Sequence, residues 1–348
     1  MLDPAREKAS RILLEKIGVG SDFTVEHLPG GRNNRVLKII EGEGDKAVIL
    51  KEYFRHPADL RDRCKAEFDF LRFAWNSGTN CVPEPLACDL ENGLAIYAFV
   101  AGRRLHAGDI TMDRIDEAAG FFHAINNSAG ISRPNLGNAS EACFSIASHL
   151  ACTERRVQAL VAACSQEMNA EVRSFVQSKM VPLWNSLRID VEWQCETLQV
   201  PLAEEINSAK RRISPSDFGF HNTIKMTDGR LCFLDFEYAG WDDIAKTVCD
   251  FFLQPVFPMP EQYFQKVADK LLGGSDDNTY QMNRVKILLP VHQMKWCCIM
   301  LNDFLPLGNA RRKFSLAEDG ESERKAHQLA LARAAFHKIG YLTEAVTY

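Results

Sequence analysis

The sequence lacks most of the features that assign a protein at a glance. Its 11 cysteines form no CxxC pair, and the one adjacent couple, Cys297 and Cys298, sits inside an apolar run. That spacing excludes a zinc-finger-like site. An odd count scattered through apolar segments predicts free, buried thiols in a reducing compartment, not a disulfide framework. No stretch reaches the roughly 18 uncharged apolar residues of a membrane span; the longest candidate, Trp296 to Leu301, is too short and reads as core. A secretory leader is not expected, because Arg6, Glu7, Lys8, Arg11, Glu15 and Lys16 make the N-terminus an amphipathic helix. Neither charge dominates: 41 Lys and Arg against 46 Asp and Glu leave a net charge of -5, which supplies no global reason to bind nucleic acid or an anionic membrane. Internal repeats and low-complexity tracts are absent. The expectation is a soluble, cytoplasmic protein without a nucleic-acid or membrane partner; nothing indicates its oligomeric state.

What is present is a chain of 348 residues, 46% apolar, enough to bury a core that divides into two lobes. After the N-terminal helix, short strands are expected at Phe23–Leu28, Arg35–Ile40 and Lys46–Tyr53, the last two joined by a tight turn at Gly42 to Asp45. Leu60, Cys64, Glu67, Phe68, Leu71 and Trp75 recur at helical spacing and predict a helix from Asp59 to Asn76. A second strand pair follows at Leu86–Cys88 and Leu94–Val100. Beyond Gly102 the pattern turns helical, interrupted by one compact β segment at residues 213–240, and is helical again from Pro260.

The chemistry concentrates in that β segment. Asp217 and Asn222 stand five positions apart, and Asp235 ends the apolar run Leu231-Cys232-Phe233-Leu234 after a hairpin turn at Thr227 to Arg230. Phosphoryl transfer needs these residue types. A carboxylate orients the acceptor hydroxyl and takes its proton, while an Asn and an Asp supply hard oxygen ligands to magnesium. Protein kinases order them as D-x4-N followed by a metal-binding Asp. Asp217-Phe218-Gly219 also spells the kinase metal motif DFG, but Leu198 to Arg212 lack the upstream segment that such a reading requires, so the spelling is coincidental. In the N-terminal part, Gly30, Gly31, Asn33 and Asn34 form a turn whose backbone amides can approach phosphates. Lys51 closes an alternating strand, and Glu67 lies sixteen residues on, as in the strand-Lys and helix-Glu pair that fixes ATP phosphates.

This ordered set resembles the aminoglycoside phosphotransferase and choline kinase superfamily, whose H-G-D-x-H-x-x-N motif precedes an I-D-[FW]-E segment. Here the two read Pro215-Ser216-Asp217-Phe218-Gly219-Phe220-His221-Asn222 and Leu234-Asp235-Phe236-Glu237, and Gly240-Trp241-Asp242-Asp243 through Asp250 resembles the later G-D-P-x-x-D-L. The likeness runs from about residue 25 to residue 255. It implies an α+β, bilobal protein-kinase-like fold, with an antiparallel-sheet lobe at residues 1–100 and a larger, mainly helical lobe at 101–348. It further implies ATP in the cleft, with adenine on the backbone of Ala98 and Val100, Lys51 on the phosphates, magnesium on Asn222 and Asp235, and Asp217 as catalytic base. The acceptor is then a small hydroxylated molecule: a sugar, amino sugar, aminoglycoside or amino alcohol. Glu237, Trp241 and Asp242 are candidate acceptor contacts, and the acidic groups Glu237, Asp242 and Asp243 favour a hydroxylated acceptor bearing an amine, or a sugar. Two loop histidines of the motif are replaced, by Pro215 and Gly219, and His221 reads as structural. That keeps a pseudokinase acting as a nucleotide-binding module open. A protein kinase is a further alternative, disfavoured by Gly219 and by the absence of an A-P-E segment, and a nucleotide-independent structural protein is the last.

Overall fold

A computed structural model describes residues 4–28, 33–42, 46–132, 134–164, 169–257, 259–273, 277–315 and 320–340. Gly30 and Gly31, and most of the turn expected at Gly42 to Asp45, lie outside these residues. The chain begins with α1 (Pro4–Lys16), followed by β1 (Phe23–His27), β2 (Arg35–Glu41) and β3 (Ala47–Glu52). After α2 (Arg63–Asn76) come β4 (Pro85–Asp89) and β5 (Leu94–Ala98), and the five strands form one antiparallel sheet in the order β1-β2-β3-β5-β4. Side chains alternate across this sheet. Leu50, Leu94 and Ile96 face Leu13 and Leu14 of α1 in a small core, whereas Ala95 and Tyr97 belong to the larger core that includes Phe68 and Leu71 of α2. Lys51, next to Leu50, therefore emerges on the α2 side.

The helix expected from Asp59 starts four residues later. Asp62 caps it, accepting from the Lys65 amide at 3.0 Å, while Asp59 turns back on His56. A strand that the sequence does not announce, β6 (Gly102–Arg104), follows the sheet. Gly102 is needed there: a Cβ would stand 2.4 Å from the Lys225 carbonyl oxygen.

The helical body runs through α3 (Met112–Ser132), α4 (Ile146–Cys164), α5 (Ala170–Phe175) and α6 (Val181–Thr197), the last two joined by a wide π-type turn at Val176–Met180. The β segment then supplies β7 (Arg212–Ser214), β8 (Thr223–Met226), β9 (Leu231–Phe233) and β10 (Gly240–Asp242); β6, β8 and β9 pair in one sheet and β7 with β10 in another. Helices α7 (Ile244–Leu253), α8 (Phe264–Leu272), α9 (Asn278–Met300), α10 (Pro306–Ser315) and α11 (Glu321–Phe336) complete the chain. Helix α9 is buried on most sides and packs against α4, α6, α7, α8 and α11. The α+β, kinase-like expectation matches this architecture of a small antiparallel sheet and a helical body. Among the described residues, no helix is long and apolar enough to cross a membrane, and all eleven cysteines are free.

A buried polar chain links α4, α7 and α9. Asp243 Oδ2 lies 3.2 Å from His149 Nε2, His149 Nδ1 lies 3.3 Å from His292 Nε2, and His292 Nδ1 lies 3.3 Å from Asp250 Oδ1. Two neutral rings bring two hydrogens to these three long contacts, so one of them is a dipolar contact only. Burial outweighs the pull of Asp250 and holds His292 down at about 4. A histidine kept neutral in the native state contributes stability above its ordinary value near 6.5, and that stability is lost as pH falls from there towards 4. Between pH 7.5 and pH 5, His292 should cost the fold about 2 kcal/mol. Denaturant titrations at both pH values should show that loss in the wild type and a flatter profile in His292→Gln. Identical slopes in the two proteins would contradict it.

Candidate active site

The loop after β7 is held from below by aromatic packing. Phe218 lies 4.8 Å from Phe251 and 5.5 Å from Phe233, ring centre to ring centre, Phe220 lies 5.5 Å from Phe251, and Phe121 and Phe236 extend the layer to Phe70 of α2. With the two phenylalanines buried, Asp217 and His221 are directed into a cavity. Phe218→Ala should destabilise the protein by about 3–5 kcal/mol, read as a shifted denaturant midpoint; a change below 1 kcal/mol would show that the layer does not anchor the loop.

Backbone strain collects at this point. Ser216, Asp217 and Asp235 have φ of 47°, 40° and 67°, a left-handed region that side chains other than glycine rarely adopt. Asn222 Nδ2 donates to the Asp217 carbonyl at 3.1 Å and approaches its Oδ2 at 3.4 Å. The Leu234 amide donates to the Asn222 carbonyl at 2.8 Å, which ties the loop to Asp235. His221 Nε2 stands 3.2 Å from Asp217 Oδ1. The carboxylate accepts here, so Nε2 carries the hydrogen, while Nδ1 is buried without a partner among the described residues. Sequence reading set His221 aside as structural; its i−4 spacing to Asp217 was the available signal. Gly219 explains the exchange of positions, because a Cβ there would lie 3.0 Å from His221 Nδ1 and from Gln254 Cγ. The pocket cannot house side chains at 219 and 221 together without a shift.

Lys51 is 7% exposed, and its Nζ lies 2.6 Å from both Glu67 Oε2 and Asp235 Oδ1. Burial opposes its charge, but Asp235, Glu67 and Glu237 outweigh burial and hold the ammonium well above the usual lysine range. Glu67 is itself pushed up by burial and by Asp235, against the pull of Lys51. Tyr53 donates to Glu67 Oε2 at 2.7 Å and meets the Tyr97 hydroxyl at 2.7 Å. Near the expected hinge, the Ala98 amide is already engaged by the Glu84 carbonyl at 2.9 Å. The Val100 amide has no partner among the described residues.

Several expected contacts are placed differently. Asn33 Nδ2 donates to Glu237 Oε1 at 2.6 Å and to the Tyr238 hydroxyl at 3.0 Å, and Asn34 Nδ2 donates to Glu237 Oε2. Both side-chain amides are thus turned to a carboxylate, while Asn33 still lines the cavity. Glu237 is 2% exposed and Asp242 and Asp243 are fully buried. Asp242 pairs with Lys246, and Asp243 pairs with Arg284 and caps α7. The expectation that Glu237 and Asp242 meet the acceptor is therefore corrected: their oxygens are occupied inside the protein. Trp241 lies in β10 and is not among the residues lining the cavity. Conversely Trp296, read as core, lines the cavity and donates from Nε1 to Asp250 Oδ1 at 3.1 Å.

The cavity, about 410 Å³, brings together Asp217, Asn222 and Asp235. Its other charged walls are mainly basic: Arg61, Arg104, Arg156, Arg311 and Arg312, with Lys246 and Lys295, face Glu141 and Asp250. Among the described residues no cluster of three or more His, Cys, Asp or Glu forms a metal cage. Magnesium does not require one, since it binds through one or two protein oxygens plus substrate phosphates. Asn222 fits this, its Oδ1 having no hydrogen-bond partner among the described residues. Asp235 fits as well, with Oδ1 on Lys51 and a side chain 34% exposed.

No protein-family model matches the chain, and no curated protein matches it. Solved structures do. Choline kinase LicA from Streptococcus pneumoniae is 17% identical, with a TM-score of 0.59 over 95% of this chain and 99% of its own. A choline/ethanolamine kinase family protein from Mesorhizobium loti is 16% identical, with a TM-score of 0.59 over 98% of each chain. Spectinomycin phosphotransferase, solved with ADP and spectinomycin, is 11% identical, with a TM-score of 0.59 over 94% of this chain and 98% of its own. At these identities the likeness establishes the fold: the chain has the kinase-like fold of these proteins along nearly its whole length.

Proposed function

We propose that the protein is an ATP- and magnesium-dependent kinase that phosphorylates a hydroxyl of a small molecule. The observation that carries this reading is the convergence, across 184 residues of sequence, of Lys51 on Asp235 within one site that also holds Asp217 and Asn222. The solved relatives that share the fold include a choline kinase and a spectinomycin phosphotransferase.

In this reading the nucleotide lies between the sheet and the helical body, with adenine at the free amide of Val100. Lys51, oriented by Glu67, contacts its phosphates. Asn222 and Asp235 hold magnesium, which neutralises phosphate charge when bound. Asp217 aligns the acceptor hydroxyl and takes its proton. The acceptor oxygen forms a bond to the γ-phosphorus, the bond from that phosphorus to the β,γ-bridging oxygen breaks, and the electron pair leaves with ADP. His221 keeps the Asp217 carboxylate aimed, and the strained backbone fixes its position before the acceptor arrives.

The test is calorimetric titration of the full chain with Mg·ATP, followed by ADP release against a panel of hydroxylated compounds. Magnesium-dependent nucleotide binding with acceptor-dependent ADP release is the expected result. Absence of nucleotide binding overturns the reading.

A further inference from the structure

The basic wall of the cavity contains an unbalanced charge. Asp59 receives three guanidiniums: Arg61 at 2.6 and 2.8 Å, Arg63 through Nη2, and Arg311 at 3.6 Å. The nearest further carboxylate is Glu237, 4.0 Å from Arg63 Nε, and its oxygens already accept from Asn33 and Asn34. Elsewhere along the wall carboxylates stand against Arg312, Arg156, Lys246 and Lys295. Arg156 is paired with Glu141, and Lys246 and Lys295 with Asp242 and Asp250. Three guanidiniums sharing Asp59 thus leave a local excess of positive charge at Arg61, Arg63 and Arg311.

Two of those three side chains are also under-satisfied, whereas Arg61 is fully hydrogen-bonded to Asp59 and Ser140. Arg63 Nε and Arg311 Nε are buried without a hydrogen-bond partner among the described residues. Burial and the neighbouring guanidiniums of Arg63 and Arg61 draw Arg311 below the usual arginine range. Leaving buried cations uncompensated is costly, and a planar guanidinium fork is suited to phosphate or carboxylate. Arg61 also reaches Ser140 Oγ at 3.4 Å, which adds a hydroxyl to the same wall.

We infer that the acceptor carries an anionic group, a phosphate or a carboxylate, held by Arg61 and Arg311 while its hydroxyl lies at Asp217. The inference rests on the kinase reading and reverses the amine-bearing acceptor suggested by the acidic residues of the sequence. The arginines belong to the acceptor and not to the nucleotide for a structural reason. Arg61 and Arg311 stand against Asp59, Ser140, Phe54 and Tyr238, and neither pairs with Lys51, Asn222 or Asp235.

The test takes the full chain and first measures Mg·AMP-PNP binding. ATP turnover is then followed with glucose 6-phosphate and ribose 5-phosphate as the phosphate arm, gluconate and galacturonate as the carboxylate arm, and glucose, glucosamine and choline as neutral and cationic controls. One anionic arm should give kcat/KM at least tenfold above the controls. Arg61→Gln and Arg311→Gln should each raise the acceptor KM at least tenfold, with the ATP KM within twofold, and Arg311→Lys should recover part of the loss. If Arg311→Gln does not fold, Arg61→Gln carries the test, its side chain being 34% exposed. Preference for a neutral or amine acceptor overturns the inference, as does a rise confined to the ATP KM. So does a nucleotide-bound protein that binds no anionic compound, inorganic phosphate and sulfate included. Failure to bind AMP-PNP at all instead overturns the kinase reading itself.

Discussion

Asp217→Asn should bind Mg·ATP as the wild type does and lose turnover by about 10³-fold, within the range that a positioned general base contributes. The substitution changes little else. An asparagine side chain preserves the volume and still accepts from His221 Nε2, which now stands 3.2 Å from Oδ1. The Asn222 contacts are mainly to the backbone carbonyl, at 3.1 Å. What is lost is the ability to take the acceptor proton, so the effect falls on kcat and not on the ATP KM. Such a loss corresponds to about 4 kcal/mol of transition-state stabilisation. A variant keeping more than a tenth of wild-type kcat would show that Asp217 is not the base. His221→Ala provides the companion measurement. It leaves the base in place but unaimed, and should give a smaller loss of kcat that His221→Gln partly restores.

Loss of turnover below detection is expected for Asp235→Asn and for Lys51→Ala, but the two should differ in stability. Asp235 is the shared member of the site, accepting from Lys51 through Oδ1 and exposing its remaining surface to the cavity. Replacing it with asparagine removes a magnesium ligand while Lys51 keeps Glu67 at 2.6 Å, so the fold should persist and metal-dependent nucleotide binding should not. Lys51→Ala leaves Glu67 buried beside Tyr53 with no cation to compensate it. Breaking a buried pair by removing one partner costs about 3–5 kcal/mol, so this variant should melt earlier as well as lose activity. Equal stability of Lys51→Ala and the wild type would mean that Glu67 takes up a proton and that the pair contributes little to the fold. Retained magnesium-dependent binding in Asp235→Asn would remove Asp235 from the metal site.

Local patterns in the sequence carried much of this. The alternation of β3 places Leu50 against α1 and Lys51 against α2, because successive residues of a strand face opposite sides. The D-x4-N spacing and the apolar run before Asp235 are also local, and they lead to residues that share one cavity. The kinase-like fold was legible from the order of these pieces. Features that depend on distant partners were not. Glu237 meets Asn33 and Asn34 across more than 200 residues, so its acidic character suggested a ligand contact where there is an internal clamp. Asp243 read as a cleft charge because Arg284 and His149 come to it only through packing of α4, α7 and α9, whereas Lys246, the partner of Asp242, lies only four residues on and was a local signal. Trp296 read as core because it lies in an apolar run, yet helix α9 turns it to the cavity. Arg61 and Arg311 sit 250 positions apart and share Asp59 only in the folded chain; neither has a local signature. β6 is three residues long, too short for a periodic signal.

The most direct measurement of the central claim is ³¹P NMR of the full chain with Mg·ATP and the sugar phosphates, alongside Asp217→Asn. A new phosphate-ester resonance that grows one for one with ADP, and is absent from the variant, is the predicted result. ADP that appears with inorganic phosphate alone, at equal rates in both proteins, would contradict phosphoryl transfer to an acceptor and with it the role assigned to Asp217.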